Sequence, residues 1–581
     1  MDATKSTWRR VLRETAWIVL WGTLGSFWCL RAGHELGGTF DEPVYLRYGL
    51  EHWRTGSTYE LMRLGTMPLP ADVTALPVYT WERWRGQTFD AVEDFDTILP
   101  VARSGTLLFF WLMLIYGWRL GNQIAGPWAG RLAVVFLACE PSLLAHASLA
   151  TTDLALTAMV LVYCYHYRAG RERGWSCRVL LAGVCFGFAI LAKASALAFI
   201  PICSVAMEWE RNWQQSTAAG HWPRLKEAFV TVFSRKNVFE FVPMSCIALT
   251  VTFLYCGSDW KEHPELIRQA RSLPDGAARA PAIWLAEHLQ IFNNAGVGLS
   301  RQMQHNVQGH ATYILGHGER RAFWYYFPLA LSMKITTPLL VLALLCLLLR
   351  PQTLASAAGL TTFCLFLFSF TCRVQIGIRL VLPIIALLAI SVAAATVRAW
   401  PQLAVAKQRR LLATASLAGL ILWMNYSAWS ACPNGIGFIN ELWGGSRDGY
   451  LLLSDSNYDW GQGLNELAKW QQKENLPALD VWYFGSDPRV LRPPFHVVQI
   501  HTLPIHNEEE LRANMRGRYL AAGTSVLYGG YCQDPAQQDL FQRLRERTPI
   551  ARTTTFLIFD MSVDAMPNGE NPVRLAQQLE P

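Results

Sequence analysis

Charge is what this chain of 581 residues has little of. Asp, Glu, Lys and Arg make up only 16% of it, against 52% hydrophobic residues. That balance excludes an ordinary soluble enzyme, whose surface needs more charge, and a disordered arm, which cannot be so apolar. Paired thiol motifs are missing as well. The thirteen cysteines have no CxxC spacing, and most fall in or beside apolar runs, where they behave as small hydrophobes. Cys432 and Cys532 lie in the C-terminal part, where oxidation is permitted, but spacing alone does not pair them. There is no internal repeat of fixed period and no long low-complexity stretch. No small-residue cleavage site follows the first apolar run, which therefore reads as a retained span and not as a signal peptide.

What the chain has in abundance is long apolar runs. A span needs roughly 20 apolar residues to cross the hydrocarbon core. Candidates lie at about 12–30, 102–120, 127–146, 148–168, 238–257, 323–349, 355–371, 376–397 and 410–430. The run from Val179 to Met207 is too long for one plain span and carries Lys193 near its middle. It reads as two short helices meeting at "AKAS", for eleven membrane helices in all.

The basic residues orient that count. With the N-terminus inside, Met1–Arg13 holds four Lys/Arg, Arg168–Arg178 four, Glu208–Phe239 five and the 398–410 joint four. The short joints on the other side hold almost none, which is the positive-inside pattern. The net charge of +7 is therefore mostly a topology signal and points to no nucleic-acid partner. Residues 31–100, 257–322 and 431–581 are then extracytoplasmic. The first of these carries eleven Asp/Glu against six Lys/Arg.

The expected fold is a mainly α polytopic membrane protein, spanning residues 1–430, with a C-terminal α/β extracytoplasmic domain over 431–581. In that domain "YLLLS", "LDVWYFG", "FHVVQI", "RYLAAG" and "TTFLIFDM" read as strands. "GLNELAKWQQKE", "NEEELRANMR" and "AQQDLFQRLRER" read as helices. In the loop 257–322, "PELIRQARSL" and "PAIWLAEHLQIF" read as amphipathic helix lying against the membrane.

Ionisable residues within membrane helices are costly and mark function. Here they are Asp153, Lys193, Lys334 and Arg379. Lys334 lies nine residues past Tyr325, roughly 13 Å deeper along a helix, from where its amine can snorkel to the surface. Just outside the first span stand the adjacent acids Asp41 and Glu42, in "TFDEP". Acids in an outer loop with cations beneath them suit transfer between a hydroxyl or amine acceptor and a membrane-anchored donor with a phosphate leaving group. A carboxylate takes the acceptor proton and buried cations meet the charge growing on the phosphate. Asp41, Glu42 and Asp153 are the candidate catalytic acids; Lys193, Arg379 and Lys334 are the candidate donor-phosphate ligands. Asp41 also stands where a helix N-cap would. His305 and His310 are candidates for substrate contact. With His317 they match no i, i+4 zinc pair, so no metal is expected.

These stretches, together with "HASLATTDLAL", "GFAILAKASAL", "ATYILGHGERRAFWYYFPLALSMKITTPL", "QIGIRLVLP" and "NELWGGSRDGYLLLSDSNYDWGQGL", resemble the membrane glycosyltransferases of the C-type fold. Those are related to protein O-mannosyltransferases and the lipid A aminoarabinose transferase. The resemblance covers most of the chain. It implies a polyprenyl-phosphate sugar as donor substrate, use at the outer face of a bacterial inner membrane, and inversion at the sugar. It also implies a glycan, lipid or protein acceptor and no cofactor beyond the lipid-linked donor. By it Asp41 matches the catalytic acid, Glu42 its neighbour, Asp153 the second outer acid and Lys193 the junction lysine. The chain departs from the family at "GTMPLP", where a His-Pro-Pro run is expected, and at Leu380, where a histidine often stands. A transporter or flippase is the rival reading, but such proteins often carry matched broken helices in two halves, and only one broken span is evident. A non-catalytic scaffold is the other rival.

Overall fold

The computed structural model describes residues 2–562 apart from 218–219, 289, 292, 404–405, 501 and 531–534. Cys532 and the tail from residue 563 thus lie outside the described residues. A helix or a bent helix pair stands at each position expected to span. Among the described residues, four helices can cross a membrane by length and composition: Phe95–Ala125, Trp222–Cys256, Ile378–Gln402 and Lys407–Ser430. The number rises to six if each of two bent pairs is one span. The other expected spans are shorter or more polar helices. Ala357–Ser369, for example, has 13 residues, about 20 Å of rise.

Both bent pairs break where a proline stands in the first turn of the second helix. Pro127–Ala138 meets Pro141–Ala147 at 67°, and Tyr326–Lys334 meets Thr337–Leu349 at 114°. Proline fits the first turn because its missing N–H has no helical partner there. The breaks lie against each other. Thr336 Oγ1 donates to Glu140 Oε2 at 2.8 Å and Ser142 Oγ donates to the Lys334 carbonyl at 2.8 Å, which satisfies polar groups freed from the helices. The runs 127–146 and 323–349 were each read as one continuous span, so both breaks are corrections. The run 179–207 does divide as its lysine suggested. Leu181–Ala192 ends at an extended Lys193, and a new helix runs Ala196–Gln215.

Residues 31–100 fold as helices Glu42–Thr55, Tyr59–Leu64 and Pro68–Arg85 before the chain enters Phe95–Gly105. Residues 257–322 form helices Pro264–Arg271, Arg279–His288 and Asn293–Gln308, then a hairpin of β1 (Thr312–Ile314) and β2 (His317–Glu319).

The C-terminal part holds a five-stranded sheet of β3 (Leu479–Trp482), β4 (Phe495–Val497), β5 (Tyr519–Gly523), β6 (Ala551–Arg552) and β7 (Phe556–Asp560). The order is β4-β3-β5-β7-β6, with β3 parallel to β4 and β5, and β7 antiparallel to β5 and β6. Side chains alternate across the sheet. Leu520, Ala522, Leu557 and Phe559 pack with helix Gln538–Glu546, while Ala521, Phe556 and Ile558 pack with helix Leu464–Lys473. Both faces are covered, which is why these strands read as continuous apolar runs. The expected strand "YLLLS" is instead a 3-10 turn, Gly449–Leu451, followed by an isolated bridge from Leu453 to Ile314. Its apolar run fills the seam between sheet and helices.

Candidate active site

The site begins with the loop Gly37–Asp41, where the first long helix, Asp2–Glu35, hands over to Glu42–Thr55. Several hydrogen bonds tie this loop to the C-terminal part. Gly37 N donates to the Gln462 carbonyl (2.8 Å), Gly38 N to Asp487 Oδ2 (2.8 Å) and Phe40 N to the Trp460 carbonyl (2.9 Å). Ser486 Oγ donates to the Phe40 carbonyl (2.5 Å). A side chain at Gly38 would lie 2.8 Å from the Phe95 ring, so the close approach itself requires glycine.

The adjacent acids part company. Asp41 occupies the N-cap position, yet its side chain makes no capping bond. It faces a cavity and accepts from Arg379 Nη1 at 2.7 Å and from the Tyr45 hydroxyl at 3.3 Å. Glu42 is 0% exposed and does not line the cavity. Arg103 binds it twice, Nε to Oε1 at 2.8 Å and Nη2 to Oε2 at 2.6 Å. Thr39 N and Oγ1 and Ala150 N also donate to it. Burial alone raises such a carboxyl, but Arg103 and these donors hold Glu42 below its ordinary range. Arg103 also binds the carbonyls of Gly33, Leu36 and Gly37, where a cation complements the end of the first helix. Glu42 thus stands apart from the cavity that Asp41 faces. It anchors the loop that presents Asp41.

Arg379 stands on the 3-10 turn Ile378–Val381, whose Ile378 N donates to Asn457 Oδ1 at 2.9 Å. Its guanidinium lies over the Trp460 ring, 4.2 Å from the centroid, a cation–π contact. Lys193, at the break between its two helices, donates to Asp153 Oδ1 at 2.5 Å. Asp153 Oδ2 is 3.8 Å from Arg379 Nη1. Asp153 is 0% exposed and does not line the cavity. It sits behind the two cations, within ion-pair distance of both.

Asp41, Lys193, Arg379, His305 and His310 line one cavity of about 1260 Å³. Its walls also include apolar Phe199, Phe368 and Leu380, polar Arg301, Gln302 and Arg373, and Asp455 with Trp460. The rings of His305 and His310 are 6.0 Å apart. Burial, then His310 and the cations Arg379, Arg301 and Lys193, push the His305 imidazole below its ordinary value and favour its neutral form. Lys334 does not join them. Its amine is buried and donates to the carbonyls of Ile436 (2.5 Å) and Asn457 (2.8 Å), because the helix breaks there. It fastens the C-terminal part to that break, so neither snorkelling nor phosphate contact fits its place.

Tyr45, Asp455, Trp460, Arg301 and Arg373 were not singled out from sequence. Asp455 and Trp460 fall within "SDSNYDWGQGL", where the density of polar and aromatic residues was the available signal. Tyr45 is one helical turn after Asp41.

Residues 95–235, roughly a quarter of the chain, match the family model described as dolichyl-phosphate-mannose-protein mannosyltransferase. The match agrees with the resemblance to membrane glycosyltransferases read from the motifs. It contains Arg103, Asp153 and Lys193, whereas Asp41 and Arg379 lie outside it. No curated protein matches the chain. Among solved structures, ArnT from Cupriavidus metallidurans in the apo state is similar at 14% identity and a TM-score of 0.44, covering 94% of this chain and 97% of that one. The archaeal oligosaccharyltransferase AglB from Archaeoglobus fulgidus, in complex with an inhibitory peptide and a dolichol-phosphate, is similar at 12% identity and a TM-score of 0.48. That likeness covers 97% of this chain and 76% of that one.

Proposed function

We propose that this protein is an integral-membrane glycosyltransferase that moves a sugar from a polyprenyl-phosphate carrier to an acceptor at the extracytoplasmic face, inverting the sugar, with Asp41 as base. The observation that carries this reading is the meeting of Asp41 with Lys193 and Arg379 in one cavity that has both apolar and polar walls. The family-model match over residues 95–235 supports the same class of enzyme.

The donor phosphate binds beside Lys193 and Arg379, and its lipid tail runs past Phe199, Phe368 and Leu380 toward the bilayer. Arg379 pairs with Asp41. A phosphate competes for that guanidinium and so frees the Asp41 carboxylate to meet the acceptor. The acceptor oxygen or nitrogen then attacks the anomeric carbon from the side opposite the phosphate, which inverts that centre. The carbon–oxygen bond to phosphate breaks, the phosphate leaves with the electron pair, and the acceptor proton passes to Asp41. Lys193 and Arg379 meet the charge appearing on the phosphate. His305 and His310, on the wall formed by helix Asn293–Gln308 and the turn after it, contact the acceptor.

The test is to supply a radiolabelled polyprenyl-phosphate sugar to bacterial membranes carrying the protein. Label should move to an acceptor with the wild type and not with Asp41→Asn. Equal labelling by both proteins, at equal membrane levels, would remove Asp41 from the mechanism.

A further inference from the structure

The geometry points to Asp455 as a substrate-contacting residue: we propose that its carboxylate, carried by the C-terminal part, binds the hydroxyl or ammonium groups of the transferred sugar. This inference rests on the glycosyltransferase reading and deepens it. Asp455 lines the same cavity as Asp41 and Arg379, and belongs to the short segment that also supplies Trp460, on whose face Arg379 lies. Its charge acts on Arg379 together with those of Asp41 and Asp153.

In a polyprenyl-phosphate sugar the anomeric carbon is one bond from a phosphate oxygen. Whatever holds the phosphate at Lys193 and Arg379 therefore brings the sugar within a few ångström of those cations. Asp41 and Asp455 are the acids that line the cavity beside Arg379 among the described residues. With Asp41 receiving the acceptor proton, Asp455 is left to accept from the sugar's own donors. A carboxylate has two oxygens and accepts hydrogen bonds from neighbouring hydroxyls, and a charged acceptor makes the stronger bond. A carboxylate also pairs with an ammonium group, so Asp455 fits the hydroxyls of a neutral sugar and the ammonium of an amino sugar.

The segment is held as a preformed site. Asp455 has φ +57, a left-handed conformation in which Asp and Asn are among the few tolerated side chains. Its N–H donates to Ser525 Oγ at 2.8 Å, and Ser456 N donates to Asp455 Oδ1 at 2.6 Å, which fixes the carboxylate. Ser456 Oγ donates to the Ile376 carbonyl and Asn457 accepts from Ile378 N. The turn that bears Arg379 and the turn that bears Asp455 are thus tied to each other.

The experiment measures binding by purified full-length protein of bare undecaprenyl phosphate and of undecaprenyl phosphate carrying a neutral hexose or an amino sugar. Wild type should hold a neutral or amino-sugar carrier about 10- to 100-fold more tightly than the bare carrier, the range expected for one charge-assisted hydrogen bond. Asp455→Asn, which keeps the backbone conformation, should lose that margin and bind the bare carrier at least as tightly as the wild type. Asp455→Gly, which relieves the backbone, should lose it too, with thermal unfolding showing both variants folded. Asp455→Asn retaining the margin, or a wild type that binds bare and sugar-loaded carriers equally, overturns the assignment of Asp455. A wild type that binds no polyprenyl phosphate at all overturns the glycosyltransferase reading beneath it.

Discussion

The Asp41 carboxylate and the Arg379 guanidinium meet at 2.7 Å although 338 positions separate them in the chain. One comes from a loop after the first helix and the other from a turn before the helix Leu382–Leu403. Their pairing joins the two ends of the helical part at the cavity.

The first prediction concerns that pair. Asp41 makes no capping bond, so Asp41→Asn should unfold at nearly the wild-type temperature, while transfer falls by about 10²- to 10⁴-fold, the usual loss for a positioned base. Arg379→Leu should weaken binding of undecaprenyl phosphate, and Asp41→Asn should not. Measuring both constants for both variants separates base from phosphate ligand. A reversed pattern would remove both residues from these roles.

Glu42 should behave as a structural residue. Removing one member of a buried ion pair leaves the other uncompensated and costs about 3–5 kcal/mol. Glu42→Ala and Arg103→Ala should each lower the unfolding temperature and the amount of protein in the membrane. The double variant should lose clearly less than the sum of the two. A Glu42→Ala protein of normal stability that has lost transfer would return this residue to the chemistry.

Asp459 predicts a pH dependence. It accepts from Gly461 N and Ser525 N, both at 3.1 Å, and burial, aided by the charge of Asp455, raises its carboxyl from 3.8 to about 7. The folded form thus keeps a proton that the unfolded chain releases near pH 4. Its contribution is complete below that point and is lost as pH rises toward 7. Each unit is worth about 1.4 kcal/mol. Between pH 5 and pH 8 the wild type should lose a few kcal/mol that Asp459→Asn does not, read as unfolding temperature against pH. Parallel curves for the two proteins would contradict this.

The orientation is testable on its own. A reporter active only in the cytoplasm, fused after Pro581, should stay silent, and one active only outside should report. Cytoplasmic activity would change the number of crossings by one, with the break at Lys193 the first place to look.

Much of this protein is written locally. Run length and apolarity mark the helices, basic joints mark their order, and a lysine in an apolar run marks a helix break, because burial and helix formation depend on neighbouring residues. The period-2 faces of β5 and β7 are local in the same sense. The bend at Lys334 was missed because Pro338 fits a helix start as well as a kinked continuation, and only the packing of Glu140 against Thr336 selects between them. The roles of the charges are not local at all. Asp41 and Glu42 are adjacent in sequence, but successive residues entering a helix point about 100° apart, so one faces the cavity and the other meets Arg103. Which acid is available for chemistry, which cation reaches the cavity, and that the C-terminal part supplies Asp455 and Trp460 were decided by tertiary contacts. Electrostatic partners are chosen by distance in space, and no spacing along the chain encodes it.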